Sequence, residues 1–195
     1  MRIPYSLSDG ETMASRLSTA KNTYSQTLIP LNFMKILCRY FSLLLLPLIL
    51  ISCSKTITSA PDVTFTTLTG QKIALKELRG KPVIVTFWAT DCPSCIKEIP
   101  DLIDLYTRYH ASGLDMIAVA MSYDPPNHVV DMTKAQQLPY PVALDLTSEL
   151  AQAFGGIMFT PSTFLIAPDG SVVKKEIGLF DPATMKTNIE SLLKG

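Results

Sequence analysis

Hydrophobic positions along the chain fall into three patterns. VIVTFW (83–88), rich in β-branched residues, and LDMIAVAM (114–121) are near-continuous apolar runs. Such runs predict strands buried on both faces. Val63–Leu68 alternates as a half-buried strand, Thr69-Gly70 turns, and Gln71–Ala74 returns as its partner. Leu75–Leu78 fits one helical turn, stopped by Gly80 and Pro82. Between the two buried runs, Ile96, Ile99, Leu102, Ile103, Leu105 and Tyr106 recur at helical spacing. That stripe predicts a helix over Pro93–Tyr109, kinked at Pro100 and closed off by Gly113.

The second half continues in the same style. A helix is expected over Asn127–Gln137, a short strand over Val142–Leu144, and a helix over Thr147–Phe154 with Thr147 as N-cap. Ser162–Ile166 and Val172–Ile177 read as a hairpin around the Pro168-Asp169-Gly170 turn. Asp181-Pro182 opens a last helix that runs to about Leu193. The order β-α-β-α-β-β-α predicts an α/β fold, a mixed central sheet flanked by helices, with an extra N-terminal β-hairpin.

The first quarter has no such periodicity. Residues 1–33 are rich in Ser and Thr and are read as an over-extended or disordered lead. MKILCRYFSLLLLPLILISC (34–53) has two early cations, Lys35 and Arg39, then an apolar run from Tyr40 to Ile51. A spanning helix needs about 20 apolar residues, a signal-peptide core roughly 7 to 15. Residues 34–52 are therefore expected to be a signal peptide. The segment ends in Leu50-Ile51-Ser52-Cys53, which resembles the bacterial lipobox. That resemblance implies lipidation of Cys53 and a mature chain with a short tether, 53–60, before a domain over 61–195. Ser54 stands where Asp would direct inner-membrane retention, so the outer membrane is favoured over the inner.

Composition narrows the function classes. The chain of 195 residues is 47% hydrophobic and carries 17 basic and 17 acidic side chains. It is too apolar for a disordered chain. From Cys53 onward the count is 12 basic against 15 acidic, so a nucleic-acid surface has no electrostatic support.

Of four cysteines, Cys38 lies in the signal segment and Cys53 at its end. Cys92 and Cys95 remain as a CxxC pair where a buried strand gives way to a helix. Unpaired N–H groups and the dipole of a helix N-terminus favour negative charge there. A thiolate at Cys92 is therefore stabilised and expected to face solvent. Cys95 lies one turn inward, spaced to attack a mixed disulfide formed at Cys92. Pro93 suits the first helical position, where its missing N–H costs nothing.

FWATDCPSC after an apolar strand, Pro100 five residues past Cys95, FTPSTFLIAPDG (159–170) and the early hairpin with GKPVIV together resemble the thioredoxin superfamily. Within it the chain is similar to the TlpA/ResA/CcmG-like extracytoplasmic thiol–disulfide oxidoreductases. The resemblance covers about 61–195. It implies a Cys92–Cys95 disulfide cycling with the dithiol, Cys92 as nucleophile and Cys95 as resolving cysteine. It implies that Pro161 is a cis-proline facing the sulfurs and that Thr160 offers its backbone to substrate. It further implies disulfide-containing envelope partners, apocytochrome c among them, a membrane electron donor of DsbD or CcdA type and a lipid-anchored periplasm-facing monomer; no cofactor, metal or nucleic acid is expected.

Three positions depart from the commonest pattern. Asp91 replaces the Trp that often precedes the first Cys. Its carboxylate disfavours a thiolate at Cys92, which argues for a reductant. Thr86 stands where thioredoxins carry a buried Asp. Glu98 matches a Glu of ResA-like proteins and is the candidate proton acceptor of Cys95; the alternative is a solvated helix glutamate.

Rival readings attach to the same residues. Copper handling or another metal role would recruit His110 and His128, but C-x2-C-x14-H-x17-H is not a zinc spacing. The two histidines are read as a helix end and a loop residue. A thiol peroxidase-like antioxidant would need its peroxidatic Cys in another loop. A static staple would leave Cys92–Cys95 chemically idle. Phe87 and Trp88 are expected to pack beneath the site as strand residues.

Overall fold

The computed structural model describes residues 58–194. The expected signal segment, Cys53 and residues 1–57 as a whole lie outside the described residues. Two strands, β1 (Thr64–Thr66) and β2 (Lys72–Ala74), form an antiparallel hairpin. Gly70 takes φ +80°, the left-handed conformation that the Thr69-Gly70 turn requires. A 3-10 turn over Leu75–Leu78 leads into β3 (Val83–Trp88), followed by α1 (Pro93–Tyr109) and β4 (Asp115–Ala120). Then come α2 (Pro126–Ala135), β5 (Val142–Leu144), α3 (Glu149–Ala153), β6 (Ser162–Ile166), β7 (Val172–Ile177) and α4 (Pro182–Lys194).

The main sheet has the order β5-β4-β3-β6-β7. β3, β4 and β5 run parallel; β6 and β7 are antiparallel to their neighbours. The sheet is mixed, as the element order predicts. β3 sits at its centre and all six of its residues are buried. Alternation divides them between two cores. Ile84 and Trp88 pack with Leu102, Leu105, Met185 and Ile189 from α1 and α4. Val83, Val85 and Phe87 pack with Phe65, Leu75, Leu150 and Phe154 from the hairpin, the 3-10 turn and α3. Phe87, Phe154 and Phe164 meet edge to face, with centroids 5.0 to 6.1 Å apart.

Four local details differ from the sequence reading. α3 begins at Glu149, and Thr147 does not cap it. The cap role falls to buried Asp145, whose carboxylate accepts the N–H groups of Leu150 (3.1 Å) and Ala151 (2.8 Å). β1 is shorter than its alternation suggests, because Leu68 leaves the hairpin to donate its N–H to Val142 O at 2.9 Å. His128, also read as a loop residue, lies within α2, the helix expected over Asn127–Gln137. Residues 58–60, assigned to the tether by composition, pair with the β6–β7 turn through Ala60 N–H to Gly170 O and Val172 N–H to Thr58 O.

Candidate active site

The site forms where β3 leaves the sheet. Cys92 donates its N–H to Ala89 O at 3.3 Å, closing a turn over Ala89–Cys92. Cys92 is the N-cap of α1, in extended conformation (φ −98°, ψ 104°), and Pro93 occupies the first helical position. The Cys92 Sγ accepts the Cys95 N–H at 3.1 Å. That is a sulfur version of a helix N-cap, where a side-chain acceptor meets an otherwise orphaned donor. The Ser94 hydroxyl lies 3.4 Å from the same sulfur, a contact that residue spacing alone does not announce. Cys92 and Cys95 are disulfide-bonded, with Cα atoms 5.2 Å apart. Cys92 retains 8% exposure and Cys95 3%. Cys92 is thus the outer of the two, though far more covered in this oxidised state than a solvent-facing sulfur.

Glu98 sits one turn behind Cys95 and is 2% exposed, so it is no solvated helix residue. Its carboxylate accepts the Phe180 N–H at 3.2 Å. Burial pushes the carboxyl up to about 7; Asp101 adds to the rise, while the Phe180 N–H and the Thr163 hydroxyl oppose it. A group with its midpoint there can take up or release a proton near neutral pH. Cys95 and Glu98 both line a narrow cavity of about 10 Å³, together with Thr86, Trp88 and Tyr140. Burial pushes the Tyr140 phenol upward, and the nearby Glu98 charge adds to it. Thr86, in place of a buried acid, pairs its hydroxyl with that of Thr163 at 2.8 Å across the β3–β6 register. Trp88 packs beneath the site at 4% exposure, and its indole N–H has no hydrogen-bond partner among the described residues.

The Thr160–Pro161 bond is cis. Ser162 pairs with Phe87, so the register sets Thr160 and Pro161 at the end of the sheet from which the CxxC turn departs. The carbonyl of Pro161 accepts the Gly178 N–H at 2.8 Å. Thr160 is half-buried and Pro161 buried. His110 does not join this group. His110 follows the far end of α1, about 22 Å along the axis from Cys95 at 1.5 Å per residue. It stacks on Tyr106, with its Nδ1 3.0 Å from Leu114 O. Among the described residues, no group of three or more His, Cys, Asp or Glu side chains is placed to hold a metal ion.

Residues 55–193, which hold the CxxC turn, the cis-proline and the buried glutamate, match the model of the family described as Redoxin. The chain belongs to the Redoxin family. It is 36% identical over 135 residues to the thiol-disulfide oxidoreductase ResA of Bacillus thuringiensis subsp. konkukian, covering 69% of this chain and 75% of that one. With the ResA of Bacillus subtilis it shares 33% over 119 residues, covering 61% and 65%. A solved thiol:disulfide interchange protein of the thioredoxin family, from Chlorobium tepidum TLS, superposes with TM-score 0.64 at 31% identity, covering 71% of this chain and 97% of that one. This Redoxin-family chain is a thiol–disulfide oxidoreductase of thioredoxin-like fold, carrying the Cys92–Cys95 pair.

One contact beside the site is not foreseen by the sequence. The buried carboxylate of Asp124, on the loop after β4, accepts both the N–H and the hydroxyl of Thr90 at 2.6 Å each. An Asp before Pro125-Pro126 signals only a helix start. Nothing in its spacing announces a partner 34 residues away.

Proposed function

We propose that this oxidoreductase is a membrane-tethered reductant of disulfides in envelope proteins, the haem-binding cysteines of apocytochrome c among its substrates. The observation that carries the reading is Cys92 Sγ at the N-cap of α1, joined to a Cys95 that shares a cavity with buried Glu98.

In the reduced protein the Cys92 thiolate attacks one sulfur of a substrate disulfide. A Cys92–substrate bond forms, the substrate bond breaks, and the first substrate sulfur leaves as a thiolate that takes a proton from water. Glu98 accepts the proton of Cys95. The Cys95 thiolate attacks Cys92 Sγ, expelling the second substrate sulfur. Two electrons pass to the substrate, and the Cys92–Cys95 disulfide remains. A membrane dithiol donor of DsbD or CcdA type returns the electrons by the reverse exchange. Thr160 and Pro161 form the edge against which an extended substrate segment lies. Cys53 carries the lipid that holds the domain at the periplasmic side of the membrane, preferentially the outer one, as a monomer.

The test is capture in the envelope of the host bacterium. Cys95→Ala in the full chain should accumulate mixed disulfides through Cys92, and these should vanish in the Cys92→Ala/Cys95→Ala double variant. Capture that persists without Cys92, or no capture from envelope proteins, overturns the reading. Radiolabelled palmitate should enter the chain and be lost in Cys53→Ala.

A further inference from the structure

We infer that Asp124 is a positioning residue for the nucleophilic sulfur, acting through Thr90. Asp124 is held firmly. Asp124 donates its N–H to Met121 O at 3.0 Å, and Met121 in turn donates to Trp88 O at 3.0 Å. Pro125 follows it and Pro126 starts α2, so the backbone around the carboxylate has little freedom. Asp124 is 4% exposed and spends both carboxylate oxygens on Thr90, which offers its N–H and its hydroxyl.

Thr90 is the second residue of the Ala89–Cys92 turn. The clamp therefore fixes the turn at two points, from a loop that belongs to the neighbouring strand. What the turn presents is Cys92 Sγ, aligned on the Cys95 N–H at 3.1 Å. That alignment lends the sulfur the N-terminal field of α1, and the field falls off within the first turn. Releasing Thr90 lets the turn open, and the sulfur loses its donor. The charge of Asp124 has the opposite sign of effect, because a nearby carboxylate disfavours a thiolate. Positioning and charge can thus be told apart by experiment.

The measurement is the rate of alkylation of Cys92 by iodoacetamide against pH. It uses the reduced full chain, read at the Cys92 peptide by mass spectrometry. In Asp124→Ala and Thr90→Val the rate at pH 6 should fall roughly threefold to tenfold, the size of a lost helix-terminus interaction, and the midpoint of the profile should move upward. Asp124→Asn should stay within about twofold of the parent, since its amide oxygen can take the Thr90 N–H and its NH2 can donate to the rotated hydroxyl. Thr90→Ser should behave as the parent. Asp91, His128 and Asp131, the charged or titratable groups flanking Thr90, are untouched in every variant.

Unchanged rates in both Asp124→Ala and Thr90→Val reduce the clamp to a structural role and overturn the inference. Acceleration in both Asp124→Ala and Asp124→Asn assigns the effect to charge and also overturns it. If Asp124→Ala does not fold, Thr90→Val carries the test. The inference rests on Cys92 as nucleophile, but its readout is the sulfur itself. A chain that alkylates as expected yet captures no envelope protein would sink the proposed substrate while leaving the clamp intact.

Discussion

Glu98 and Phe180 are joined by a hydrogen bond of 3.2 Å, from the Phe180 N–H to the carboxylate. It ties the first turns of α1 to the segment that enters α4, and it is one of two protein donors opposing the cost of burying that carboxylate. Burial still wins, since a single N–H cannot replace the hydration of an ionised carboxyl.

A stability signature follows from this. Unfolded, the Glu98 carboxyl titrates near 4.5; folded, it titrates at about 7. Between those values the native state binds more protons than the unfolded state, so the contribution of Glu98 is full below 4.5 and is lost as pH rises through 7. Urea unfolding of the oxidised chain and of Glu98→Gln should show the parent losing on the order of 3 kcal/mol relative to the variant across that window. Parallel pH profiles would contradict the assignment.

The same substitution should slow the resolving step. Above pH 7 the Glu98 carboxylate can accept the Cys95 proton, and an amide cannot. Stopped-flow oxidation of the reduced chain by a peptide disulfide should slow by about 10²-fold or more in Glu98→Gln, within the range for a lost general base. The slowing should be largest above pH 7 and fade below it. Initial formation of the mixed disulfide at Cys92 should be little affected.

Asp91 is exposed beside Cys92. A carboxylate beside a thiolate disfavours it, which would make the dithiol a better electron donor. Asp91→Asn should therefore raise the equilibrium potential measured against a dithiothreitol couple, by tens of millivolts at most, since about 30 mV corresponds to 1.4 kcal/mol. A lower potential would remove the sign argument for a reductant.

The second core, beneath β3, is expected to govern stability without touching redox chemistry. Phe87 is fully buried between Phe154 and Phe164. Phe87→Ala should cost about 3–5 kcal/mol in urea unfolding, the usual range for a buried aromatic truncation. Its potential should match the parent, because Phe87 points to the face opposite Trp88.

Why some of this was legible in sequence and some was not has a physical basis. β3, α1, β5, β6 and β7 match their sequence bounds because local signals coincide there: continuous β-branched runs, a helical stripe opened by Cys-Pro, a Pro-Asp-Gly turn. Pattern alone also placed Cys92 at a helix start. Of the misses, one is a contact across a short loop and two are non-local. Thr147 looked like a cap until Asp145 reached the α3 N–H groups from the end of β5. The burial of Glu98 depends on Phe180, 82 residues away, and the clamp on Thr90 on Asp124. Spacing along the chain carries no information about the last two partners; the Thr90–Asp124 pair forms where the parallel crossover sets the ends of β3 and β4 side by side.

The most direct test of the account is two-electron exchange by the purified full chain. Incubated with a dithiol and then with a peptide disulfide, it should cycle, with thiol counts at Cys92 and Cys95 falling as substrate thiols rise one for one. Cys92→Ser should abolish the cycle, and Cys95→Ser should stop it at a mixed disulfide. A chain that will not exchange with any dithiol, or that keeps full turnover with serine at both positions, contradicts it.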